Sequence, residues 1–414
     1  MIDRPPIDWA HRSDLVEALR ATGDPEVDEV IERYDVSEPD VERDQLFHSV
    51  VAHASGAPEA SAAMIDHYLR DQPPWPDWAD EVAVRDGQRF FADHQWSLHL
   101  AFLLGSLPLS YCGASGAHVL SRTGHLELHP RRRVFETATL VAELAQEGQL
   151  AVGGRAYLML RRLRLLHGVV RRTVEVHEFD RERPGERVRW DAVAHGRAVN
   201  QLELLGTLWA FALTSLDVLD RSEVEVSLTD RAAWIHFWNL VGHVLGVVSA
   251  DGEDVLPMDE AEARACFAAI QEREFRSSPE GRELAAHLTA LVRELMPGER
   301  ADHLVDGSIR LYIGDRWADV LGLAEADPRG LLGPLGFLRR RGRWALRPLR
   351  RHLSALDRAL LEMVATRLAD DEVPSLRTAG ADELLGDQLT RLVEDAEVGW
   401  VAVPQVERRR RIQR

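Results

Sequence analysis

Through most of the chain, apolar residues recur at three- and four-residue spacing, the mark of amphipathic helices. The stretch Gly153–Glu175 shows it best. Tyr157, Leu160, Leu163, Leu166, Val170 and Val174 fall on one stripe of a helix. His167 adjoins that stripe, and Arg171 follows one turn later on the same face. Gly168 costs a helix interior about 1 kcal/mol relative to alanine. The gain it predicts is space for a flat ligand beside the imidazole.

Further helices are expected over residues 79–104, about His118–Ser121, Arg131–Gly148, the segment from Asn200 to Leu219, Trp234–Gly246, Pro257–Arg273, Ser278–Leu295, Ile309–Leu321 and Ala355–Leu368. Another short one is marked by Phe47, Val50, Val51 and Ala54. Asn200 with Glu203 three residues on makes a box-like start for the most apolar helix, which is expected to be central. Pro73–Trp78 forbids a helix, and its two tryptophans are expected to pin an extended segment onto the body. Phe179–Arg189 is charged, contains Pro-Gly and reads as a loop. Val224–Leu228 alternates too briefly to found a sheet, and no internal repeat is seen. The expected fold is all-α: an N-terminal helical extension over 1–72, a helical body over 73–325, and a C-terminal helical extension over 326–414.

Composition narrows the chemistry. A chain of 414 residues with 45% hydrophobic residues can bury a large core, and a net charge of −18 disfavours nucleic acid as a partner. All 50 basic residues are arginine, so Schiff-base and P-loop lysine mechanisms are excluded. Two cysteines make neither a disulfide framework nor a zinc knuckle. The acidic, polar N-terminus has no secretory pattern, and no run reaches the about 18 apolar residues of a membrane span. A cytoplasmic location is expected. No dinucleotide fingerprint, zinc-protease motif, paired di-iron motif or nucleophile elbow occurs. His125 and His129 are spaced to chelate, but the neighbouring turn and Pro130 argue against a helical site. Arginines cluster among Leu, Phe and Trp in 327–352. The part 339–351 suits a solvated helix whose arginine stems cover apolar neighbours, or else peripheral contact with an anionic membrane or an acidic partner.

A neutral imidazole and a cation one turn apart are what a haem asks for, an axial nitrogen and a propionate partner. The same pattern also fits an ordinary hydrogen-bonded core histidine. Other segments bear on the choice. They are Trp-Pro-Asp-Trp followed by RDGQRFF, SYCGASGAHVLSRTGHL, Arg133-x-x-x-Thr137 within RRRVFETAT, LLHGVVRR around His167, AVNQLELLGTL, WNLVGHVLGV and LYIGDRWADVLGL. In order and spacing, over roughly residues 75–325, they resemble the superfamily of latex clearing protein (rubber oxygenase) and ER-bound oxygenase MpaB.

The resemblance implies an all-helical catalytic domain with a globin-like core around haem b. It implies His167 as proximal ligand to the iron, and Arg133 and Thr137 beside the haem and its open side. Arg171 would lie near a propionate or hold the proximal helix. The family's reactions use dioxygen, with cleavage of carbon–carbon double bonds in polyisoprene as the best-known case. Two positions depart from the pattern. Where the rubber oxygenases carry a lysine able to ligate iron, this chain has Glu136, which can bind ferric iron, act as acid or base, or face solvent. Where they carry a glutamate base, Gly105–Leu126 has no Asp or Glu, and spacing places Ala117 or His118 nearby. His118 either replaces the base or packs as an ordinary histidine. The expected function is a haem b oxygenase acting with dioxygen on an apolar, unsaturated, isoprenoid- or lipid-like intracellular substrate. The alternatives are a haem protein without turnover and a cofactor-free helical binding protein.

Overall fold

A computed structural model describes residues 5–37, 59–123, 130–176, 179–180, 187–222, 224–249, 255–256, 259–295 and 301–324. In chain order the N-terminal helices are α1 (Ser13–Arg20), α2 (Pro25–Ser37) and α3 (Glu59–Arg70). The body follows with α4 (Glu81–Ala101), α5 (Leu107–Ser110), α6 (Ala114–Thr123), α7 (Pro130–Ala145), α8 (Arg155–Val176), α9 (Ala192–His195), α10 (Gln201–Arg221), α11 (Leu228–Val244), α12 (Glu260–Glu274), α13 (Pro279–Leu295), α14 (Ala301–Ile313) and α15 (Asp315–Val320). The fold is all-α. The expected helices at Phe47–Ala54 and Ala355–Leu368, the arginine-rich stretch 327–352 and the pair His125 and His129 lie outside the described residues.

The expected central helix is α10. Its start is a capping box: the Asn200 side chain accepts from the Glu203 amide at 2.9 Å, and Glu203 Oε2 accepts from the Asn200 amide at 3.3 Å. By length and composition α10 could cross a membrane, but its apolar window is 83% buried in the protein, as befits a core helix. It packs on α1, α4, α5, α11, α12 and α14. The seam between α4 and α11 is aromatic, with Phe90 5.3 Å from Trp234 and Phe91 6.1 Å from the same ring.

Four expectations need correction. The helix over 79–104 does not stop there: a π turn, Phe102–Ser106, carries it into α5. The wide turn puts Pro108 in the first turn of α5, where a missing N–H costs nothing. Ile309–Leu321 is two helices, broken at Gly314, whose φ of 86° a residue with a Cβ resists. The helix expected at His118–Ser121 starts four residues earlier, at Ala114. The loop at Phe179–Arg189 closes as a hairpin, β1 (Phe179–Asp180) antiparallel to β2 (Arg187–Val188), Phe179 opposite Val188.

The tryptophans of Pro73–Trp78 do anchor that segment. Trp75 Nε1 donates to the Leu150 carbonyl at 3.1 Å, and Trp78 meets the rings of His236 and His243 edge-on. Residues of the N-terminal extension are also part of the packed body. Trp9, Val16 and Leu19 are buried, α1 lies on α10, and α2 lies on α8.

Candidate functional site

The helix that carries His167 is buried differently from the stripe expected of it. Tyr157, Leu160, Val170 and Val174 are buried, Leu163 and Leu166 only half so. Buried with them are Leu165, Val169 and three arginines, Arg161, Arg164 and Arg171. The arginines can enter because each meets an acid in or just before α2: Arg161 with Glu26, Arg164 with Asp24, Arg171 with Asp28. Gly168 also serves α2. A Cβ there would collide with Val27 Cγ1 and stand 2.8 Å from Ile31 Cδ1. The space it provides is filled by a helix, and the expectation of room for a flat ligand at Gly168 is overturned.

His167 is half-buried on α8, between Arg164 three residues before and Arg171 four residues after. Arg171 is 1% exposed. Its Nε donates to Asp28 Oδ1 at 2.9 Å and its Nη1 to the Val199 carbonyl at 2.7 Å. Its Nη2 is buried with no hydrogen-bond partner among the described residues.

Across from α8, the N-terminal part of α10 supplies Glu203 and, one turn later, Thr207. Glu203 is half-buried as a side chain, but its Oε1 is fully buried and has no hydrogen-bond partner among the described residues. Burial first, and the nearby Glu274 second, push its carboxyl up to about 8; Arg171 and Arg20 pull the other way. The group is therefore a neutral acid at pH 7. Gly116 of α6 faces it, and a Cβ there would lie 3.9 Å from the carboxyl carbon. Thr207 is exposed although its neighbours Gly206 and Leu208 are buried. Residues four apart share a helix face, so Glu203, which Gly116 of α6 approaches, lies on the same face of α10 as the exposed Thr207.

Thr137 is half-buried on α7, which packs on α8. Arg133 and Glu136 lie on the same helix, one turn and one residue before Thr137; their side chains are outside the described residues. His118 sits apart. Its Nδ1 is 2.8 Å from Glu280 Oε1 in the first turn of α13. Its ring stacks on His195 at 4.8 Å and on Trp190 at 5.6 Å. The hydrogen bond to His118 holds the Glu280 carboxyl below its usual range. Burial, then the charge of His118, pushes His195 down to about 4. Two residues along a helix is more than half a turn, so His118 points away from the side where Gly116 meets Glu203.

A half-buried imidazole on a helix of the body fits a haem, whose iron asks only one nitrogen of the protein. Among the described residues no three metal-ligating side chains converge. A cleft of about 240 Å³ at the far end of α10, near Thr214, Asp217 and Arg221, is a separate feature. Its Arg264 is already paired with Asp217 at 2.9 Å and with Glu260.

The family model for the ER-bound oxygenase mpaB/B'/Rubber oxygenase catalytic domain matches residues 89–394. The chain belongs to this family. A rubber oxygenase from Streptomyces sp. (strain K30) is 23% identical over 306 residues, covering 73% of this chain and 70% of that one. A solved structure of latex clearing protein LCP in the closed state superposes with a TM-score of 0.59 at 23% identity, over 83% of this chain and 89% of that chain. At that identity the likeness shows the shared helical fold. Sequence reasoning missed Glu203 as a site residue, because its capping role accounts for it fully. It missed the acids of α2 because nothing local says which arginines they will meet.

Proposed function

We propose that this member of an oxygenase family is a haem b-dependent oxygenase, with His167 as the axial ligand. The observation that carries the reading is the half-buried imidazole of His167 on α8, within the span matched by the oxygenase family model. Bound haem would supply an iron that activates dioxygen. Arg133, Thr137 and Glu136, one turn of α7, would stand along the open side. Of the two roles open to Arg171, the geometry supports holding the helix, since its Nε and Nη1 are taken by Asp28 and Val199. With its proton the Glu203 carboxyl can donate or accept a hydrogen bond beside the charges of Arg171, Arg20 and Glu274. An apolar, unsaturated substrate of isoprenoid or lipid type suits the surrounding core. Cys112 and Cys266, both buried and in no disulfide, suit an intracellular setting.

A second reading, haem binding without turnover, draws on His118. The carboxylate-free α6 offers it as the base, yet it is held by Glu280 on the other side of the helix.

The first test is the absorption spectrum and pyridine hemochrome of the wild type and His167→Ala. A Soret band with about one b haem per chain, lost in the variant, is the expected result. A wild type that stays colourless with added hemin sinks the reading. Dioxygen uptake with an unsaturated isoprenoid separates turnover from mere binding.

A further inference from the structure

Three acids at the start of α2 meet three arginines of α8 like rungs. Asp24 takes Arg164 with both oxygens, 2.5 Å to Nε and 2.8 Å to Nη2. Glu26 receives Arg161 Nη1 at 2.9 Å and Arg164 Nη1 at 2.8 Å. Asp28 receives Arg171 Nε at 2.9 Å through one oxygen, and its other oxygen stands 3.4 Å from Arg197 Nη2. The side chains of Arg161, Arg164 and Arg171 are 1%, 9% and 1% exposed. Between the rungs Val27 and Ile31 lie against Gly168.

A buried guanidinium without its counter-charge is strongly unfavourable, so α8 has one height and one rotation at which all three rungs close. Two of the rungs bracket His167, at Arg164 and Arg171. The Gly168 contact removes the remaining freedom, because a slide of one residue would bring a larger side chain onto Val27. The acids themselves lie outside residues 89–394, the span matched by the family model, whereas the helix they grip lies inside it.

We propose that the acidic start of α2, with Asp28 as its last rung, is the positioning element for His167 and sets how tightly and in what geometry a haem is held. The inference rests on the reading of His167 as axial ligand. Asp28 acts through Arg171 and the helix, and touches no reacting atom.

The test uses the full chain and hemin as the probe. Asp28→Asn keeps the shape and removes the charge. Asp28→Glu keeps the charge and lengthens the rung. Glu29→Gln, on the exposed side of α2 where Glu29 pairs with Arg33, is the control. Hemin affinity is read by Soret titration, the axial field by electron paramagnetic resonance of the ferric protein, and the fold by cooperative melting. Asp28→Asn is expected to weaken hemin binding by on the order of tenfold, as loss of a ligand's supporting partner commonly does. Asp28→Glu is expected to shift the ferric spectrum with a smaller change in affinity, and Glu29→Gln to leave both unchanged. Wild-type affinity and spectrum in both Asp28 variants overturn the proposal. Should Asp28→Asn fail to fold, the spectrum of Asp28→Glu decides alone. A wild type that takes up no hemin removes the functional reading and this inference with it; normal uptake in unaltered Asp28 variants removes only the inference.

Discussion

The helices α8 and α10 both run through the middle of the molecule, and they solve the problem of burial in opposite ways. In α10 the residues that go inside are mostly apolar and none is charged to the depth of the α8 arginines; its start is capped locally by Asn200 and Glu203. In α8 three arginines go inside, and each depends on an acid more than 130 residues away in sequence, as with Arg161 and Glu26. One helix carries its reasons for being buried in its own sequence. The other borrows them from α2. The borrowed kind fixes position more sharply, because an ion pair has a geometry and apolar contact has little.

Breaking the borrowed pairs should have the largest effect. Asp24 is 2% exposed and holds Arg164 with both oxygens, so Asp24→Ala should cost about 3 kcal/mol by taking the two-oxygen partner from a buried cation and leaving it only Glu26. Urea unfolding at neutral pH measures it; a loss below about 1 kcal/mol would show that α8 does not depend on α2. Gly168→Ala comes next. Helix propensity alone favours alanine by about 1 kcal/mol, but the collision with Val27 and the close approach to Ile31 should reverse the sign and cost about 1–3 kcal/mol. A stabilised Gly168→Ala protein would mean that the two helices are not in close contact there.

The effect that tests α10 is a slope, small over any narrow pH interval. The Glu203 carboxyl moves from its ordinary 4.5 up to about 8 on folding. Between those values the native state holds a proton that the unfolded chain has released. Its contribution is therefore complete below pH 4.5 and is lost as pH rises through 8, by at most about 1.4 kcal/mol per pH unit. Glu203→Gln keeps the capping box and cannot ionise, so its stability should lack this decline between pH 6 and 8. Parallel denaturation profiles for variant and wild type would place the titration elsewhere.

Much of the architecture was readable in advance. The period of the apolar residues marked the helices, and Asn200 with Glu203 marked where the central one begins. The pair Arg133 and Thr137, followed by His167 and Arg171, pointed to the family that the match over 89–394 then showed. Where the reading failed, the cause lay beyond the local segment. Gly168 was read as space for a ligand, and only the arrival of α2 shows what fills it. His118 was read either as a base replacing an absent glutamate or as an ordinary packed histidine, and only the docking of α13 shows that it meets Glu280. Glu203 looked like a cap and nothing more, and only its burial near Glu274 makes it a neutral acid. Periodicity and caps act over a few residues of backbone, so the sequence by itself determines which segments are helical and roughly where they start. Charge pairing, close packing and desolvation act between segments far apart in the chain, so only the tertiary structure decides which arginines are buried, which acid keeps its proton and what holds the helix of His167 in place.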